Sequence, residues 1–201
     1  FLSAHPLDEY MVILKKVCNL QVAQLENLTP LAGHEVRLGG IVTALRKGVT
    51  KKGKPYGIVT LEDYSGAGEI PLFGENWARF GSYMETPGTT VYVTGRVQGK
   101  RFAPDEMELS IGNVQFLDSV KDSLVENITI HLPEAAVSED LAVQMGEAVS
   151  KHPGRTDLLV NIIDAENGIP VCLHRRRGGI TVTKQLLEIL DNNNIPYTIN
   201  Q

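Results

Sequence analysis

The chain has 201 residues, 42% of them hydrophobic and 21% charged, an ordinary composition for a core-forming protein with room for two small domains. No run of about 18 apolar residues occurs, which excludes a membrane-spanning helix, and FLSAHPLDEY lacks the basic and apolar regions of a signal peptide. The formal net charge of −5 argues against a nucleic-acid partner until it is divided along the chain.

That division is uneven. Residues 1–33 carry two basic and three acidic side chains, residues 34–118 ten of each, and residues 119–201 seven basic and eleven acidic. From Val36 to Leu61 there is no acid, against six basic residues: Arg37, Arg46, Lys47, Lys51, Lys52 and Lys54. Salt screens charge beyond about 8–10 Å, so a surface feels its local field and not the chain's total. Cys18 and Cys172 are the only cysteines and form no metal-ligating pattern, which reads as buried free thiols in a reducing, cytoplasmic setting. The start at Phe1 without a methionine is expected of a piece of a longer protein.

Residues 1–33 read as a helical connector, with Leu7, Met11, Leu14 and Val17 at helical spacing and Pro30 closing the segment. From His34 the period changes to two. EVRLGGIVTALRKG is a long first strand in which Gly39-Gly40 predicts a bulge or sharp coil. GVTKKGKPYG is a turn and YGIVTLED the second strand; Asp63-Tyr64-Ser65-Gly66 turns tightly into a third, GEIPLF. A short helix, ENWARFGSYM, precedes strands TTVYVTGRVQG and MELSIGNVQFL. Five strands with a helix between the third and fourth, over residues 34–118, is the order of an OB-fold β-barrel.

Residues 119–201 predict a small α+β domain. ENITIHL is a strand, and SEDLAVQMGEAVSKH a helix capped by Ser138 with Glu139 and Asp140 in its first turn. A hairpin around Asn167-Gly168, a helix in VTKQLLEILDNNN and a final strand in PYTIN complete a β-α-β-β-α-β order of the split, ferredoxin-like type. Its acidic balance fits a protein-interaction module better than a nucleic-acid surface.

The chemistry concentrates in the barrel. The first loop, RKGVTKKGK, places Arg46, Lys47, Lys51, Lys52 and Lys54 among nine residues, with Gly48 and Gly53 keeping the ribbon adaptable. Phosphates repeat along a strand, so several cations on a flexible loop suit it better than one fixed pocket. The loop between strands four and five, QGKRFAPDE, adds Lys100, Arg101 and Phe102 on the other flank of the face that OB barrels use. If Val59, Leu61, Ile70 and Leu72 point inward, Tyr56 and Phe73 face outward as candidate stacking platforms. A second basic cluster, His174-Arg175-Arg176-Arg177, lies before the last helix and reads as a solvated loop with phosphate or an acidic partner as the alternative. There is no GxSxG, P-loop, Cys–His arrangement or catalytic carboxylate pair, and the histidines are scattered, so neither an active site, a metal centre nor a cofactor is expected.

HPLDEY, followed by GGIVTALRKGVTKKGKPYGIVTLEDYSGAGEIPLF, resembles the C-terminal part of the bacterial DNA polymerase III alpha-subunit family over residues 1 to about 118. The rest matches by position and size. The resemblance implies that the barrel contacts single-stranded template DNA through Arg46, Lys47, Lys51, Lys52 and Lys54, and that the terminal domain contacts the clamp-loader tau subunit. It further implies that the polymerase aspartates and the sliding-clamp motif lie upstream, so that the fragment is no enzyme while its parent chain is a DNA-directed DNA polymerase. Two other readings stay open: an RNA-binding OB module of the anticodon-recognition type, which shares the LEDYSG turn, and a pure protein-interaction scaffold.

Overall fold

Apolar residues on alternate positions draw Glu35–Val49 into one long strand, β1, that serves two halves of a sheet. Its first half pairs antiparallel with β4 (Thr90–Lys100), from Glu35 opposite Arg96 to Ile41 opposite Thr90; its second half pairs with β2 (Pro55–Asp63), ending at Val49 opposite Pro55. With β3 (Gly66–Phe73) beside β2 and β5 (Ala103–Phe116) beside β4, the order is β3-β2-β1-β4-β5. These are features of a computed structural model that describes residues 5–163, 170–175 and 178–200 and divides into two units, Phe1–Val120 and Lys121–Gln201.

The first unit is a curled, five-stranded antiparallel half-barrel consistent with an OB fold. Among the described residues no ladder joins β3 to β5, so a seam stays open between them. Val36, Leu38, Val42, Val59, Leu61, Ile70, Leu72, Val91 and Val93 fill the interior. A short helix, α1 (Gly74–Phe80), follows β3, and α2 (Leu117–Val120) follows β5.

The bulge falls between Val42 and Ala44, beyond the expected Gly39-Gly40. Those glycines stay in regular register opposite Tyr92 and Val91, where they serve close packing. A β-carbon on Gly39 would lie 2.6 Å from the Leu14 side chain, and one on Gly40 3.0 Å from the Glu62 carbonyl oxygen. The bulge reverses side-chain parity along β1: Val36, Leu38 and Val42 point inward before it, and Leu45 packs on the core after it. Arg37 and Arg46, an odd number of residues apart, thereby both lie on outward-facing positions.

The N-terminal segment belongs to the same unit and is less regular than the single helix expected. A 3-10 turn, Asp8–Tyr10, runs through Met11 and Val12 into a π-helical turn, Ile13–Val17, burying Leu7, Tyr10, Val12, Ile13 and Val17. A second 3-10 turn, Val22–Glu26, packs along β3. There the Val22 N–H donates to Asp63 Oδ2 at 3.0 Å, while Asp63 Oδ1 accepts from the Ser65 N–H at 2.7 Å within the β2–β3 turn. The adjacent Tyr64 hydroxyl donates to Asp8, and its ring meets that of His5 at 5.0 Å between centroids. Burial and the neighbouring Asp8 carboxylate push the Tyr64 hydroxyl up to about 12.

In the second unit a four-stranded sheet, ordered β11-β6-β8-β9, is formed by β6 (Asn127–Pro133), β8 (Asp157–Ile163), β9 (Pro170–His174) and β11 (Tyr197–Asn200). Helices α3 (Glu139–Ser150) and α4 (Lys184–Asn192) start at Ser138 and Thr183, whose hydroxyls each accept a backbone N–H at 3.2 Å. A two-residue ladder joins β7 (Pro153–Gly154) to β10 (Gly179–Ile180). The six main elements follow the expected β-α-β-β-α-β order, but β8 lies directly beside and parallel to β6, so the βαβ unit is not split. The apolar run Leu158–Val160 suits a central strand, whereas Val171, Cys172 and Leu173 of β9 are exposed, as an edge tolerates. Cys172 is thus a free exposed thiol and not a buried one; Cys18 is half-buried against β1, and burial pushes its thiol up to about 12. The expected Asn167-Gly168 turn, and Arg176 and Arg177 of the basic cluster, lie outside the described residues.

Replacing Asp63 by alanine removes the acceptor shared by the β2–β3 turn and the Val22 segment. The expected cost is about 1–3 kcal/mol, read as a lowered urea midpoint with an unchanged slope.

Candidate nucleic-acid interface

The outer face of β2 and β3 is set by the alternation that fills the core. Gly57, Val59 and Leu61 are buried, which turns Tyr56, Ile58 and Thr60 outward; Gly68, Ile70 and Leu72 are buried, which turns Glu69, Pro71 and Phe73 outward. Register then places Gly48, Tyr56 and Phe73 in one row across β1, β2 and β3. The Tyr56 and Phe73 rings sit 5.1 Å apart between centroids, inclined by 34°, and Phe73 is 52% exposed. Tyr56 lies over Gly48, where any β-carbon would come within 2.6 Å of the ring. The row is a contiguous aromatic ledge with a glycine as its floor.

The cations around it divide into paired and unpaired. Arg46 lies on the outer face and meets Glu69 at 2.7 Å. Lys47 has the opposite parity, forms an ion pair with Glu85 and holds its ammonium 6.0 Å from the centre of the Trp77 ring, so the structure does not bring it to the ledge. Lys100 meets Glu106 at 2.6 Å; this hydrogen bond and charge raise the lysine above its usual value and lower the carboxyl below its own. The pair therefore persists from the lowered value of Glu106 up to the raised value of Lys100, and dissolves as pH falls through the first or rises through the second. Arg101 lies 5.5 Å from the ring of Phe102, which is 92% exposed. Lys51, Lys52 and Lys54 are exposed on the loop tip and have no ion pair among the described residues. Gly53, at φ +74°, makes the turn between them.

A cleft of about 710 Å³ follows the seam between β3 and β5, and Phe73, Glu69, Lys100 and Glu108 line it. The ledge and the fourth-to-fifth-strand loop thus border one groove. Two contributors carry no direct signal in the sequence. Gly48 reads in the sequence only as loop flexibility, although its register opposite Tyr56 is available from the hairpin. Trp77, over Gly57 on the inner side of β2, walls off Lys47.

Comparison with known proteins agrees with this geometry. Residues 36–117 match the family described as OB-fold nucleic acid binding domain. Residues 36–117 are thus similar to OB-fold domains in sequence as well as in strand order. Residues 128–200 match the DNA polymerase III alpha subunit, C-terminal domain. Curated relatives include DNA polymerase III subunit alpha of Haemophilus influenzae, 29% identical over 81% of this chain and 14% of its own length. That of Pasteurella multocida is 27% identical over 78% and 13%. The chain is similar to the C-terminal region of DNA polymerase III alpha subunits and spans about one seventh of their length. Among solved structures, the mitochondrial single-stranded DNA binding protein Rim1 of S. cerevisiae is 14% identical, covering 42% of this chain and 94% of its own, with a TM-score of 0.31.

Glu69→Gln releases Arg46 and Glu106→Gln releases Lys100. Each is expected to tighten oligonucleotide binding, up to about fivefold for Glu69→Gln, in fluorescence anisotropy at fixed low salt.

Proposed function

We propose that this chain is a non-catalytic, DNA-binding and assembly module of a replicative DNA polymerase, whose OB domain holds single-stranded template DNA across β2 and β3. The observation that carries the reading is the Tyr56–Phe73 ledge beside three unpaired loop lysines. Every base has a flat face, so the ledge accepts any sequence, while flexible cations follow a phosphate backbone of varying path. Arg46 and Lys100 sit in exposed ion pairs that are worth little, and a phosphate displaces such a carboxylate at small cost. Arg101 and Phe102 extend the same surface on the other flank.

The second unit, with its acidic balance, docks a clamp-loader subunit of the tau type. Nucleotidyl transfer and the contact with the sliding clamp are assigned to the parent chain outside these residues. On this reading the module positions template and holoenzyme, and no step of phosphoryl chemistry passes through it.

Anisotropy of a labelled single-stranded oligonucleotide across a salt series tests the DNA reading. The triple change Lys51→Ala, Lys52→Ala, Lys54→Ala is expected to flatten the slope of log affinity against log salt by up to about 2, at roughly 0.7 for each phosphate no longer neutralised. Tyr56→Ala and Phe73→Ala are each expected to cost about 1–3 kcal/mol of binding with the slope retained. Unchanged affinity and slope in the lysine variant would overturn the loop assignment. Preference for a folded tRNA loop over unstructured DNA would replace the template reading with the RNA one.

A further inference from the structure

A second cleft, of about 660 Å³, opens on the β1–β4 half of the first unit, and Arg37, Thr94, Arg96 and Ser110 line it. Register brings them together: Arg37 lies opposite Thr94 on β4, and Arg96 lies opposite Ser110 on β5. Asn19 fixes one wall, accepting the Arg37 backbone N–H at 2.7 Å and donating to the Glu35 carbonyl at 3.0 Å. The Arg37 Nε is buried and has no hydrogen-bond partner among the described residues. A buried charged donor left unpaired is costly, and a bound group that accepts from it would remove that cost. Arg96 spends its Nε on the Gly33 carbonyl at 3.1 Å, which leaves its remaining guanidinium donors uncommitted among the bonds described. Glu35 also lines the cleft, and among the described residues neither arginine forms an ion pair with it.

Two guanidinium groups and two hydroxyls against one carboxylate form a site for a single anion, and the planar fork of arginine matches a phosphate. The course of the surface indicates which phosphate. Along β1 the outer face is blocked at Gly39 by Leu14 and Cys18. Around the other side the way is continuous, because Gln98 and Ser110 line both this cleft and the seam that holds Phe73 and Lys100. We propose that Arg37 and Arg96 hold a backbone phosphate of the same nucleic-acid strand that stacks on Tyr56 and Phe73, after the strand has passed through the β3–β5 seam. The proposal rests on the DNA-binding reading above and lengthens its footprint onto the second half of the sheet.

The test uses the 201-residue chain and labelled single strands of about 4 and about 16 nucleotides, the range of footprints found for OB folds. Arg37→Gln and Arg96→Gln are each expected to weaken the long strand and lower its salt slope by about 0.7, while leaving the short strand unchanged. Arg37→Lys, which keeps the charge, is expected to retain the slope and so separates removal of the cation from a disturbed fold. Inorganic phosphate titrated into isotope-labelled protein is expected to shift the Arg37 and Arg96 resonances, and the long strand to displace it. Long-strand binding unchanged in both glutamine variants overturns this proposal and leaves the ledge standing. Phosphate that the long strand does not displace makes the cleft a free-anion site and overturns it too. Absence of any oligonucleotide binding by the unmodified chain overturns the DNA reading itself, and this proposal with it.

Discussion

The first unit depends on the bulge between Val42 and Ala44, because one strand must serve two half-sheets of different direction. Without an extra residue there, β1 would keep a single parity, and either Val36, Leu38 and Val42 or Leu45 would leave the core. The same extra residue decides the outer surface. It places Gly48 in the row with Tyr56 and Phe73, sets Arg46 beside Glu69, and turns Lys47 away towards α1. Adjacent basic residues of identical charge thus acquire different roles from backbone geometry alone.

The opposite end of β2 and β3 is held by polar contacts. Asp63 bonds both its own turn and the Val22 backbone, and Tyr64 reaches Asp8 and His5. The HPLDEY and LEDYSG stretches, far apart in sequence, are therefore two sides of one junction. Their role is to seat the N-terminal segment on the barrel, at the end away from the basic loop. Gly68 belongs to the same junction: a β-carbon there would come within 2.5 Å of the Val22 carbonyl oxygen.

Charge in this molecule is managed locally. Arg46, Lys47 and Lys100 each have a carboxylate at hand, so part of the charge balance over residues 34–118 is realised as ion pairs. What remains for a polyanion is the unpaired loop tip and the Arg37–Arg96 cleft, supported by exposed pairs that exchange readily. Under the proposed function such a surface would bind weakly and with steep salt dependence, which suits a strand that must move.

Local patterning along the chain is enough to specify the strand count and order of the barrel, the inward set Val59, Leu61, Ile70 and Leu72, and the outward pair Tyr56 and Phe73. Alternation with period two is a local property, and a glycine-rich tight turn fixes register between neighbouring strands. It also determined the cap at Ser138, since capping needs only residues within one turn. Tertiary structure alone decided where the bulge falls, because Gly39 and Gly40 are required by Leu14 and by the Glu62 backbone and not by a bend. It alone decided that β8 and not β9 lies beside β6, a choice made by burial across the whole sheet. And it alone brought Arg37 to Arg96, 59 positions apart on paired strands, around one cleft. Contacts at such separation depend on how the sheet curls, and the curl is a sum over all five strands that no single segment records.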